Sequence, residues 1–372
     1  MKKMKGKVVI FGAGAIGRGL LADITARSGY HVVFVEAVEE LVNKLIENGK
    51  YCVLLGGKFE EKHNIDGFRV LRADKTEDVA NEITDCAFVT TSVGGANLDA
   101  VARLIAAGLA KRKSTLNILV CENWPKADHV LADMLLSRGC DKKSFACVPC
   151  SVERMAKSSE EGIDVIVESG QSLYADETCW VGSKPVIGEL LFCRNIEAYY
   201  NRKLYTNNAG HVLLAYMGHL SGCTLLYKAL EIPEIRKNLM DLLEAASQIL
   251  IRDYGIDRTD MQRHIDELVC WRFSNRKLAD TVKRVARDPL RKLGTEERLV
   301  GLIRLLEKHN LPTEPVSRVI AAAMHYFDRD DPGSIKLSEI IASEGPEAVL
   351  KQICGFEENN RCYKECLHFF KK

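Results

Sequence analysis

Short apolar runs alternate with stretches of helical spacing through the first half of the chain, the pattern of a parallel sheet covered by helices. Residues 7–11 form a β-branched run stopped by glycine, which predicts a fully buried strand. Helical spacing follows over 16–28 and ends at Gly29, a natural C-cap, and the run 31–35 predicts a second strand that delivers Glu36. Residues 39–47 predict a helix stopped by Asn48-Gly49, and 51–55 with 59–62 predict a hairpin across Gly56-Gly57. Further strands are expected at 87–91, 116–120 and 145–148, with helices at 98–111 and 127–137. Two more strands, 163–168 and 171–180, come with no helix between them.

From about Ile187 the period is almost wholly helical. Helices are expected at 188–201, 209–227, 232–254, 259–273, 296–309 and 315–326, with shorter ones at 337–342 and 347–353 on either side of Gly345-Pro346. The expected fold class is therefore α/β: an N-terminal doubly wound, Rossmann-type domain with extra strands over residues 1–194, then a mostly α-helical C-terminal domain over 195–372.

A chain of 372 residues suits about two cores. Its net charge of +1 argues against a broad surface for nucleic acid or an anionic membrane. No apolar run approaches the ~18 residues of a membrane span, and glycines and Arg18 interrupt the first apolar stretch as they would not in a signal peptide. Thirteen cysteines, an odd count without regular short spacing, suggest a reducing cytoplasm. Cys147-x-x-Cys150 and Cys362-x-x-x-Cys366 lack partner ligands at zinc spacing, so no metal is expected.

The first candidate chemistry is Gly12-Ala13-Gly14-Ala15-Ile16-Gly17, between a strand and a helix. Gly12 permits a sharp turn, Gly14 allows the backbone to approach a pyrophosphate, and Gly17 allows close packing of helix on sheet. The N–H groups and dipole of the helix N-terminus favour phosphate. Glu36 can accept both adenosine ribose hydroxyls and would repel a 2′-phosphate, which favours NAD over NADP. Loops at the carboxyl ends of the later strands should converge on the same crevice, bringing in Thr91, Val93 and Asn123. Arg18 reads as an exposed helix arginine rather than a phosphate ligand.

The second is Lys203-Leu-Tyr-Thr-Asn-Asn208-Ala-Gly-His211. On an α-helix Lys203, Asn208 and His211 fall within an arc of about 140°. An amine, an amide and an imidazole on one face suit carbonyl–alcohol interconversion, in which a proton moves while charge develops on oxygen. For alcohol oxidation the amine must be neutral. An ordinary lysine titrates at about 10.4, so burial and nearby cations would have to lower it.

Lys203-x4-Asn208-x2-His211 resembles the signature of the polyol-specific long-chain dehydrogenases and reductases. The similarity extends over Phe11-Gly-Ala-Gly14, Val89-Thr-Thr91, Leu116-Asn-Ile118, Cys121-Glu-Asn123, Val212 to Gly222, Asp288-Pro-Leu-Arg-Lys-Leu293, Ala321-Ala-Ala-Met-His325 and Asp331-Pro332. A glycine turn so near the start favours the sugar-phosphate branch. The resemblance implies Lys203 as general acid/base without metal, Asn123 and Asn208 as oxyanion hole, and His211 on a neighbouring substrate hydroxyl. It also implies Arg284 and Lys292 as substrate ligands, and Arg291 completes a basic cluster for a phosphate. Glu153 stands where relatives commonly carry Asp, one methylene shorter. The implied reaction is NAD-dependent interconversion of D-mannitol 1-phosphate and D-fructose 6-phosphate, by a monomer or weak homo-oligomer. The rivals are reduction of another ketose or a uronate (tagaturonate or fructuronate), and a non-catalytic NAD-binding sensor.

Overall fold

The computed structural model describes residues 5–56, 61–124, 126–159, 162–168, 173–276 and 279–372. The chain divides into two compact units, Met1–Ile196 and Glu197–Lys372.

In the first unit the described strands are β1 Lys7–Phe11, β2 His31–Glu36, β3 Lys50–Gly56, β4 Glu61–Asp66, β5 Arg69–Arg72, β6 Phe88–Thr91, β7 Leu116–Val120, β8 Phe145–Val152, β9 Ala156–Ser158, β10 Val165–Glu168, β11 Leu173–Asp176 and β12 Leu190–Cys193. Eight of them form one sheet in the order β12-β11-β8-β7-β6-β1-β2-β5. Its six strands from β5 to β8 are all parallel and follow the doubly wound order 3-2-1-4-5-6. Successive residues bury opposite faces: Val8, Ile10, Val32 and Phe34 enter one core, and Val9, Phe11, Val33 and Val35 the other. This is why these strands read as continuous apolar runs.

The other four strands form a second sheet, β4-β3-β10-β9. It packs on the helix that follows the glycine turn. A Cβ on Gly19 would meet Val167 Cγ1 at 2.6 Å and Val165 Cγ1 at 2.7 Å, so the small sheet sits closer than any side chain at position 19 would allow. The first turns of that helix, Gly17–Ala22, are π-helical. Arg18 is 3% exposed, not on the surface as expected. Its guanidinium donates to the Ile163 carbonyl and to Ser158 Oγ (2.9 Å), while its own carbonyl accepts the Tyr51 hydroxyl (3.0 Å). A guanidinium with partners from the second sheet can be buried where a solitary one could not.

The predicted hairpin is β3 and β4, paired antiparallel; its turn, with Phe59, lies outside the described residues, as do residues 171–172 of another predicted strand. Three elements had no expectation: edge strand β5, the short strand β9 and the helix Thr76–Asp85. The expected helix 188–201 is wrong in its first half. Leu190–Cys193 is β12, paired parallel with β11, and only Ile196–Arg202 is helical. Four consecutive apolar residues fit either element, and the free edge of β11 decides.

The second unit is helical around one core. Ser221-Gly222, with Gly222 at φ 72°, breaks the expected helix 209–227 into Ala209–Leu220 and Leu226–Glu231. Pro233–Tyr254 runs as expected, with proline at its first turn and Gly255 closing it in the left-handed region. The helices Val282–Ala286, Pro289–Lys292 and Arg361–Phe370 were not anticipated. No helix among the described residues is long and apolar enough to cross a membrane.

Candidate active site

In the first unit three loops leave the carboxyl ends of β1, β6 and β7 and are tied together by backbone. Gly12, at φ 90°, donates to Val35 (2.9 Å), and a Cβ there would meet the Ser92 carbonyl at 2.6 Å. Gly17 lies so close to the Gly12 carbonyl that no Cβ fits. Gly14 has no heavy atom within 4 Å of its Cβ position, so of the three it alone borders open space. Ser92 N–H donates to Phe11 (2.9 Å) and Cys121 N–H to Thr91 (3.0 Å), which lock the three strand ends in register. Thr91 is fully buried, whereas Asn123 is exposed.

Glu36 is 8% exposed. Its Oε2 accepts Ala13 N–H (2.7 Å), and its Oε1 accepts the N–H groups of Ala37 (2.7 Å) and Val38 (2.9 Å). Three of roughly four acceptor sites are thus engaged. The carboxylate ties the glycine turn to the segment after β2. Glu122 was overlooked although it lies inside Cys121-Glu-Asn123. It accepts Val93 N–H (2.9 Å) and Gly94 N–H (2.8 Å) and so joins the β7 loop to the β6 loop. Trp124, 54% exposed, lies against Gly95, where a Cβ would collide with its ring.

Glu153 is 7% exposed in the link between β8 and β9. The adjoining Arg154 makes ion pairs with Asp23 (3.6 Å) and Glu189 (3.9 Å).

In the second unit Lys203–Asn208 is a π-helical turn leading into Ala209–Leu220. Ala209 N–H donates to the Leu204 carbonyl, five residues back. The expected angular spacing is therefore corrected: i to i+5 bonding winds the chain more slowly and brings residue 208 nearer to the face of residue 203 than the about 140° of an α-helix. Lys203, Asn208 and His211 are all partly exposed. His211 packs edge-on against Phe273, with ring centroids 5.0 Å apart. Burial holds the imidazole well below its ordinary pKa, and the cations Arg272, Arg284 and Arg298 push it the same way. A hydrogen bond with the Asn207 backbone opposes this only partly. His211 is thus a neutral ring with one nitrogen on that backbone group.

The basic residues do not act alike. Arg284 is exposed and donates through Nε and Nη2 to Asp280. Its helix is held to Ala209–Leu220 by buried Tyr216, whose hydroxyl donates to the Ala286 carbonyl (3.0 Å). Arg291 is exposed and bonds Asp288 (2.9 Å) and Glu297 (2.7 Å). Lys292 is 7% exposed and donates to the Arg287 carbonyl. Burial, with Arg298 and Arg291 nearby, lowers its pKa to about 8. The Asp-Pro pairs quoted above are structural: Asp288, at φ 60°, donates its N–H to Asp331 Oδ2 (2.7 Å), which anchors the segment carrying Arg284 and Lys292. Arg298 was missed for want of any motif. Its guanidinium is held by Glu297 (3.0 and 2.8 Å), and its charge acts on both His211 and Lys292.

Two family models match: the mannitol dehydrogenase Rossmann domain over residues 6–185 and the mannitol dehydrogenase C-terminal domain over 195–369. The mannitol-1-phosphate 5-dehydrogenase of Bacillus licheniformis is 32% identical over 376 residues, covering 97% of this chain and 98% of its own. The chain belongs to the mannitol dehydrogenase family. As a member of that family it is an oxidoreductase. Two solved structures share the fold. Mannitol 2-dehydrogenase of Pseudomonas fluorescens, a ternary complex with NAD and D-mannitol, superposes with a TM-score of 0.74 at 16% identity, covering 99% of this chain and 92% of that one. A substrate-free D-sorbitol dehydrogenase superposes with a TM-score of 0.83 at 15% identity, covering 99% and 93%.

Proposed function

We propose that this family member interconverts D-mannitol 1-phosphate and D-fructose 6-phosphate with NAD(H), its first unit holding the cofactor and its second most of the catalytic and substrate groups. The observation that carries the reading is the π turn Lys203–Asn208, which draws Lys203 and Asn208 toward one face ahead of a neutral His211. The relative of known name acts on the same polyol phosphate.

The first unit fits a dinucleotide. Gly14 presents an open backbone at a helix N-terminus for a pyrophosphate, flanked by Ala13, Ala15, Ile16 and the loop with Thr91 and Val93. Glu36 supplies a negative charge that opposes a 2′-phosphate. NAD+, when bound, takes up the hydride that leaves the carbinol carbon.

In polyol oxidation the neutral amine of Lys203 removes the hydroxyl proton, and in ketose reduction its ammonium form returns it. The amides of Asn208 and Asn123 donate to the oxygen as it gains alkoxide character. His211, neutral, accepts a neighbouring substrate hydroxyl. Glu153, with Arg284, Arg291 and Lys292, belongs to substrate recognition, in which the cations receive the phosphate through charge-assisted bonds.

The deciding experiment is NADH oxidation by the purified protein with fructose 6-phosphate, fructose, tagaturonate and fructuronate. A clear preference for fructose 6-phosphate is expected. Preference for a uronate moves the reading to another branch of the family, and silence with all four overturns it.

A further inference from the structure

Resting on the assignment of Lys203 and Asn208 above, we infer that Thr206 and His264 are positioning residues that hold the π turn, and so set the spacing of the amine and amide that act on the substrate oxygen.

Widening a helix from i→i−4 to i→i−5 bonding displaces a carbonyl from its usual donor, and such turns persist where side chains fill the gap. The carbonyl of Arg202 would in an α-helix take the N–H of residue 206. Here the hydroxyl of Thr206, fully buried, donates to it at 2.6 Å. The single hydroxyl proton is then committed, so His264 Nε2, 2.9 Å away, must be the donor to Thr206 Oγ1. His264 is 7% exposed, and burial with Arg202 and Arg272 nearby keeps it neutral, consistent with the Nε2–H tautomer. Asn207 completes the group. Its amide lies 3.1 Å from Thr206 Oγ1, and a half-turn of that amide brings its otherwise unsatisfied NH2 onto the remaining lone pair.

His264 belongs to the helix Arg258–Glu267, which runs on into a second π segment, Leu268–Arg272. Phe273, just beyond, is the residue that meets His211. One helical run therefore touches the catalytic stretch twice, at Thr206 inside the π turn and at His211 after it. A Cβ on Gly210 would strike the Phe273 ring at 2.7 Å, so the approach is as close as glycine permits. A hydroxyl bond to the i−4 carbonyl also fits an α-helix, so what ties the turn is the His264 bond to Thr206 and the Phe273 contact that follows it.

The test compares kcat, the KM for fructose 6-phosphate and NADH affinity in Thr206→Val, Thr206→Ser, His264→Leu and Lys203→Ala, alone and combined. Thr206→Val and His264→Leu are expected to lower kcat roughly 10- to 10²-fold while both binding constants stay within about twofold, because misplacing a reacting group by an ångström costs rate before affinity. Thr206→Ser, which keeps the hydroxyl, is expected to restore kcat. Added to Lys203→Ala, Thr206→Val is expected to cost nothing further, since its effect passes through the lysine. An additive loss in the double variant overturns the inference, as does a normal kcat in Thr206→Val when Lys203→Ala is inactive; the reading of Lys203 survives both. A Lys203→Ala enzyme with full activity overturns that reading instead. Should Thr206→Val not fold, His264→Gln, which keeps an amide donor, set against His264→Leu makes the same comparison.

Discussion

At the scale of single residues, the cations of the second unit differ in what solvent and neighbours leave them free to do. Lys203→Ala should lower kcat roughly 10² to 10⁴ with NADH affinity intact, if one proton transfer is lost. Steady-state rates set beside an NADH fluorescence titration check this, and loss of both would indicate misfolding. Lys292 makes a second prediction. With a pKa of about 8 it is charged below that pH and neutral above it. The KM for fructose 6-phosphate should therefore rise as pH passes 8, and Lys292→Met should abolish that step while starting from a higher KM. For stability the sign is opposite. Between pH 8 and the ordinary lysine range the unfolded chain binds the proton that the folded chain has released, so this residue's contribution to stability grows with pH across that window.

At the scale of elements, the two proposed half-sites are built on π insertions, at Gly17–Ala22 and Lys203–Asn208. Each is wedged in place by a group remote in sequence: Tyr51 on the Arg18 carbonyl, and His264 on Thr206. Glycines set how near the packing elements come. Gly210→Ala should destabilise the second unit by about 1 to 3 kcal/mol, because Phe273 and Leu239 already occupy the space of the added methyl. Denaturant unfolding measures it, and an unchanged midpoint would mean that Phe273 can move aside. The same packing explains which elements were legible. Pro233–Tyr254 carries its own start and stop signals, proline and glycine, so its limits follow from local chemistry. Leu190–Cys193 carries none, and only β11 makes it a strand.

For the whole molecule, the net charge of +1 and the two family domains fit an enzyme of small polar substrates. A ligand that binds only the folded state stabilises it by about 2.7 kcal/mol at a hundred times its dissociation constant. NADH should accordingly raise the melting temperature, and NADPH at equal concentration should raise it less. Glu36→Ala should narrow the difference between them, and an equal shift by both cofactors in the unaltered protein would remove Glu36 from cofactor choice.

The sequence alone determined the buried strands β1, β2, β6, β7 and β8, the glycine turn, and the sequence positions of Lys203, Asn208 and His211. Each depends on spacing or on steric demands felt within a few residues along the chain. Tertiary structure decided that Arg18 is buried, that Glu36, expected to meet a ribose, accepts Ala13 N–H of the glycine turn, that the stretch from Lys203 to Asn208 is π-helical, and that the charge of Arg298 acts on His211 and Lys292. Those outcomes depend on partners tens of residues away, whose approach no local pattern records. A hydrogen bond such as His264 to Thr206, across 58 residues, exists only once the core has brought two helices together.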